Sequence, residues 1–109
     1  MASHLSSARK RYLKSAAHPL KPVVFIGRRG ITDAVVRSFE TALDTHELIK
    51  VKFLDFKEKG QKQELVDVLE RRTGASGVGI LGHIALFYRE HPDPEKRKIV
   101  LPRLSEDDQ

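Results

Sequence analysis

The stretch VVFIGRRG, residues 23–30, with Ile31, Thr32 and Asp33 behind it, constrains the fold more than any other part of the chain. An apolar run of strand character ends on a glycine, and a helical pattern starts almost at once, with Thr32 as a good N-cap. A strand that feeds directly into a helix commits the chain to a β-α unit, and so to a sheet with helices layered on it. The chemistry of the junction is as telling as its geometry. Gly27 and Gly30 stand three apart, and the residues between them are Arg28 and Arg29. Backbone N–H groups, a helix N-terminus and two cations converge on one point, which suits a phosphate. The loop is too short to wrap a nucleoside triphosphate. It also lacks the Lys-Ser/Thr ending of a Walker loop and the third glycine of a dinucleotide fingerprint. The backbone of a nucleic acid is the ligand that remains. Two glycines alone are no more than turn residues. Two arginines at a tight tip repel each other, and an anion would offset that repulsion.

Periodicity supplies the other elements. Ser6 or Ser7 caps a first helix that runs to about Ala17, with Tyr12, Leu13, Ala16 and Ala17 on its apolar side. His18-Pro19 ends it. After the strand Val23 to Ile26, a second helix spans about Asp33 to Thr45, burying Val35, Val36, Phe39, Ala42 and Leu43. In LIKVKFLDF, Ile49, Val51 and Phe53 alternate with Lys50 and Lys52, the period of a strand with one polar face. A third helix spans about Gln61 to Thr73, with Leu65, Val66 and Leu69 turned inward and Gly74 as C-cap. GVGIL and IALFYR read as strands of a hairpin joined through Gly82-His83. KRKIVLP reads as a short edge strand stopped by Pro102. The expected fold is α/β: an N-terminal helix, then β-α-β-α-β-β, in a mixed four-stranded sheet packed with helices. Residues 1–103 form a single domain in this reading, and 104–109 an acidic, disordered tail.

The chain has 109 residues and no cysteine, which excludes a disulfide framework and thiolate metal sites and suits a reducing cytoplasm. No apolar run approaches a membrane span, and no membrane partner is expected. The net charge of +5 is unevenly spread: residues 1–32 hold seven Lys or Arg and no Asp or Glu, so the whole excess lies in the first third. Lys10, Arg11, Lys14 and Lys21 have no acidic neighbour to pair with, which favours a polyanion partner over an ordinary solvated face. Lys50 and Lys52 read as residues that keep one side of a strand polar. Phe25, Phe53 and Phe87 lie on apolar runs and read as core; Tyr88 and Arg89, at a strand end, are the better candidates for exposure. The five histidines are scattered without metal-ligand spacing, so no metal or cofactor is expected. One exposed strand edge permits dimers without requiring them, and a monomer is favoured.

Four blocks, HPLKPVVFIGRRGIT, ALDTHELIKVKFLD, RRTGA and ILGHIALFYR, resemble the CRM domain, the chloroplast RNA splicing and ribosome maturation domain, in its stand-alone bacterial YhbY-like form. The likeness runs from about Lys14 to Pro102. The resemblance implies a fold similar to the C-terminal domain of bacterial translation initiation factor three. It implies an RNA-binding module without enzymatic activity, whose Gly-x-x-Gly loop is analogous to that of KH domains. For stand-alone bacterial members it implies association with the ribosomal RNA of large-subunit precursors, as an assembly factor. On this chain the loop falls on Gly27, Arg28, Arg29 and Gly30, and the basic first helix on Lys10, Arg11 and Lys14. Lys21 extends the same basic track. The hairpin departs from the family pattern, since Gly82-His83-Ile84 lacks the usual lysine or arginine followed by threonine. Two rival readings stand beside this one. A protein-interaction module would use the edge at Ile99–Leu101 and the acidic tail, and a small enzyme would hold a phosphorylated substrate at GRRG with His18 or Thr32 in reach.

Overall fold

A computed structural model describes residues 5–102. Helix α1 (Ser7–Ala17) leads into strand β1 (Pro22–Ile26), followed by α2 (Asp33–His46), β2 (Leu48–Phe53), α3 (Lys59–Thr73), β3 (Ser76–Leu81) and β4 (Ile84–Tyr88). The strands form one mixed sheet in the order β1-β2-β4-β3, with β1 and β2 parallel and the other pairs antiparallel. This is the expected architecture.

Local chemistry sets the boundaries. The Ser6 hydroxyl accepts from the Arg9 amide at 3.2 Å and starts α1; the Thr32 hydroxyl accepts from the Val35 amide at 3.1 Å and starts α2. Gly74 ends α3 with φ 76°, a conformation that costs a side-chain-bearing residue strain. Between β3 and β4, Leu81 pairs with Ile84 across Gly82 and His83, and only Gly82 has positive φ. That is the type II′ pattern, whose twist matches the flanking strands. Helix α3 starts at Lys59, two residues before the expected Gln61, with Glu58 at the N-cap making no side-chain bond.

The sheet is buried unequally on its two faces. On one face, Val24, Ile26, Ile49, Val51, Phe53, Ala85 and Phe87 meet Phe39 and Leu43 of α2 and Val66 and Leu69 of α3. Phe39 and Phe87 pack edge to face, with centroids 4.8 Å apart. On the other face, Leu13 and Ala17 of α1 pack with Leu48, Val78 and Tyr88, joined by Leu5, Ile99 and Leu101.

The expected edge strand at residues 96–102 does not form. A single 3-10 turn (Pro94–Lys96) is followed there by an irregular segment. The reason is Glu47, a buried carboxylate at the end of α2. It accepts from the amides of His91 (2.6 Å), Lys98 (2.6 Å) and Ile99 (2.9 Å), so those N–H groups are not free to pair with a strand. The tail at 104–109 lies outside the described residues. No described helix is long and apolar enough to cross a membrane.

Candidate nucleic-acid interface

The residues 27–30 close a tight turn in which the Gly30 amide donates to the Gly27 carbonyl at 2.9 Å. Arg28 and Arg29 occupy its two central positions with negative φ, so the turn is of the type I kind. Gly30 follows with φ 70°, a conformation that glycine adopts without strain, and lies against Leu65 and Phe56. Gly27 has ordinary φ and open space around its Cα. The two glycines thus play different parts: Gly30 is required by the backbone, whereas Gly27 leaves room for whatever approaches the tip. The Gly30 amide is used inside the turn. The amides of Arg28 and Arg29 make no hydrogen bond among the described residues.

Both arginines are exposed. The Arg28 side chain is 93% accessible and its Nε lies 3.8 Å from Asp55, a loose surface pair that contributes little and holds the guanidinium weakly. Arg29 has no ion pair among the described residues. The loop sits where β1 and β2 end and where the β3–β4 turn lies, since Ile26 pairs with Phe53 and the Phe53 amide donates to the His83 carbonyl.

The remaining basic residues are divided between two places. Lys10 and Lys14 lie one turn apart on α1, beside β3; the stem of Lys14 passes over Gly79, where an added Cβ would stand 3.0 Å from Lys14 Cε. Arg11 is exposed on the same helix. Lys21 is exposed at the start of β1, the end away from the GRRG turn, and beside it Lys50 donates to the carbonyls of Leu20 (2.8 Å) and His18 (3.4 Å). The structure therefore does not gather Lys10, Arg11, Lys14 and Lys21 around the loop. It sets the α1 cations along one side of the sheet and the arginines at its end.

The structure corrects three sequence expectations. Phe25, expected in the core, is 51% exposed, because it faces away from α2 and α3 and lies on an edge strand. Tyr88, expected at the surface, is buried under α1, and that burial, with the nearby Glu47 and Glu90 carboxylates, pushes the pKa of its phenol up to about 12. Arg89 is not offered to a ligand. Its guanidinium donates to Glu40 (2.6 Å), Asp44 (2.9 Å) and the Thr73 carbonyl (2.9 Å), and so ties α2, α3 and β4 together. Sequence reasoning also passed over Lys62. It is buried and donates to the Gly82 carbonyl at 2.6 Å, bracing the hairpin against α3. Its position four residues before Val66 and seven before Leu69, on the apolar stripe, was the available signal.

Comparison with known proteins finds a matching family model, relatives and a similar solved fold. Residues 5–89 match the family model described as the CRS1/YhbY (CRM) domain. An RNA-binding protein of Haemophilus influenzae is 42% identical over 99 residues, covering 91% of this chain and 96% of that protein. YqeI of Bacillus subtilis, named a probable RNA-binding protein, is 32% identical over 98 residues, covering 90% of this chain and 99% of its own length. The solution structure of SAV1595 from Staphylococcus aureus has a TM-score of 0.75 at 32% identity, covering 91% of this chain and all of that one.

Proposed function

The chain belongs to the CRS1/YhbY (CRM) domain family, and we propose that it binds RNA through the GRRG turn, acting without catalysis on ribosomal RNA of large-subunit precursors. The observation that carries the reading is the turn itself: two exposed guanidiniums flank two backbone amides that have no partner among the described residues, beside a glycine with open space. Arg28 and Arg29 pair with phosphates, and their amides donate to the same oxygens. Lys10, Arg11 and Lys14 extend the attraction along α1, and Lys21 adds to it at the far end of β1. Such contacts position RNA without reading its sequence.

Two features of the structure favour this reading over its rivals. Ile99 and Leu101 are packed against the α1-side core rather than set on an open strand edge. His18 caps α1 at the end of β1 remote from the turn, and the Thr32 hydroxyl is spent capping α2.

The test is titration of a ribosomal RNA fragment with the parent and with Arg28→Ala/Arg29→Ala over a range of salt. The double variant is expected to bind more weakly on every RNA tried, with a salt slope shallower by about 0.7–0.9 for each phosphate it no longer neutralises. Equal affinity and slope would refute the loop assignment. Sedimentation of a lysate, with and without ribonuclease, tests the large-subunit assignment. A peak just below the mature large subunit that ribonuclease abolishes is expected; protein only at the top of the gradient at low salt would refute it.

A further inference from the structure

The face of the sheet opposite α2 and α3 is covered only in part. Helix α1 packs on β2, β3 and β4 over the Leu48, Val78 and Tyr88 end. Toward the GRRG turn the ladder continues beyond that cover. Phe25 lies opposite Lys52, Lys52 opposite Ile84, and Ile84 opposite Leu81, a row that crosses all four strands. Phe25 is 51% and Leu81 86% exposed, and Lys52 between them is exposed too. Single exposed apolar residues are ordinary on a protein surface; here Phe25, Ile84 and Leu81 share one row, with Lys52 set between Phe25 and Ile84. Beside the row, Ile84, Leu86 and Leu81 floor a cleft of about 330 Å³ bounded by Lys14, His18 and Lys50, at the small end of the range for ligand pockets.

We propose that this row is a stacking platform for the unpaired bases of a single-stranded RNA segment, whose backbone is held by Arg28 and Arg29 at one end and approached by Lys14 and Lys52 along its length. The inference rests on the reading of the GRRG turn as a phosphate site and adds what the rest of the nucleotide does. Three observations choose this occupant. Phe25 is two residues before Gly27, about 7 Å along the strand, so a nucleotide whose phosphate sits at the turn has its base over the ring. The row spans three strand spacings, roughly 14 Å, and joins the two cation groups that the fold keeps apart. The charged groups along it are Lys14, Lys50 and Lys52, and the Asp55 carboxylate near its Arg28 end is paired to that arginine. Apolar side chains interspersed with cations complement a chain of π-faces joined by phosphates.

The chain has no tryptophan, so Phe25→Trp installs a single reporter at the platform. Its emission is expected to be quenched by single-stranded RNA and unaffected by a blunt duplex of equal length. In parallel, anisotropy titrations compare Phe25→Ala, Phe25→Leu, Phe25→Tyr and Arg28→Ala/Arg29→Ala on both RNAs. Phe25→Ala and Phe25→Leu are expected to weaken single-strand binding about tenfold with the salt slope and duplex affinity unchanged, while Phe25→Tyr retains it. Leu keeps the apolar bulk and loses the π-face, so it separates stacking from burial. Parent-like single-strand binding by Phe25→Ala overturns the platform, and a simultaneous loss in the arginine variant leaves the loop reading intact. Parent-like binding by both variants overturns both. A parent that sediments as a dimer, and that Phe25→Ala converts to monomer at unchanged RNA affinity, makes the row a self-association surface and also overturns the proposal.

Discussion

Replacing Glu47 by glutamine tests how the carboxy-terminal segment is held. Glu47 is 1% exposed and sits at φ 64°, the one non-glycine residue with positive φ among those described. Its backbone is spent on both sides: the amide donates to the Leu43 carbonyl at 2.8 Å, and the carbonyl accepts from the Arg89 amide at 2.9 Å. The side chain then meets three donors and no described acceptor. Oε1 takes the Lys98 and Ile99 amides, and Oε2 takes that of His91. A glutamine keeps one oxygen and turns an NH2 toward a remaining donor. One buried amide is left unsatisfied, at about 1–3 kcal/mol, and the other bonds lose their charge assistance, at about 1 kcal/mol each. A loss of roughly 3 kcal/mol is expected, a third or so of the stability of an ordinary domain. In urea at pH 7 the midpoint should fall by roughly 1–2 M at an unchanged m value. Amide exchange should accelerate at His91, Lys98 and Ile99 in particular.

The pH dependence supplies an internal control. Burial alone would raise the Glu47 pKa, but the His91, Ile99 and Lys98 amides, with the positive charge of His91, hold it below the ordinary carboxylate value. A carboxyl whose folded pKa is depressed contributes stability that is complete above its unfolded pKa and is lost as pH falls through the folded one. The stability gap between the parent and Glu47→Gln should therefore be constant near neutrality and close in acid, where the parent carries a neutral carboxyl. A gap under about 0.5 kcal/mol at pH 7, within the range of an ordinary surface substitution, would refute the clamp, as would a gap that persists undiminished below both pKa values.

Other substitutions separate folding from binding. Gly27→Ala, with ordinary φ and open space, should keep its urea midpoint and lose several-fold in RNA affinity, while Gly30→Ala should lose about 1–2 kcal/mol of stability from its left-handed backbone. Arg89→Ala should cost about 1–2 kcal/mol through its lost pairs with Glu40 and Asp44, yet leave the salt slope of RNA binding unchanged in the same titrations. Gly77→Ala places a Cβ 2.9 Å from Val66 Cγ1 and 3.2 Å from Glu70 Oε2 in the wall of the core, and thermal melts should show a loss of about 1–3 kcal/mol.

The elements themselves were legible because each carries its own period. Val35, Phe39 and Leu43 mark α2, Ile49, Val51 and Phe53 mark β2, and in both cases the buried side is set by neighbours in sequence. The GRRG turn was legible for a similar reason, since glycine and arginine at adjacent positions declare both the backbone and the charge. Glu47 was not. Nothing around it marks a residue whose carboxylate gathers amides from more than forty positions away, and the same long-range bonds removed the edge strand that Ile99, Val100 and Leu101 spell locally.

The errors over Phe25 and Tyr88 have one cause with opposite signs. Both lie on the face that α2 and α3 do not reach, and along either strand the local pattern says nothing of what covers that face. Its burial depends on where α1 docks, a contact between segments some seventy residues apart in the case of Tyr88. Helix α1 closes over β4, so Tyr88 sinks; Phe25, on the far edge strand, stays half exposed. The docking of one short basic helix thus decides which part of this face stays uncovered. The Lys10 and Lys14 side chains ride on that helix over β3, the GRRG turn stands at the end of β1, and the uncovered width of sheet between them carries Phe25 and Lys52. In the proposed arrangement, a strand with phosphates at both the turn and α1 takes the direct route across the bare sheet. The split arrangement of the cations, which a purely electrostatic track along one edge would not need, is the ground for including this row in the proposed RNA path.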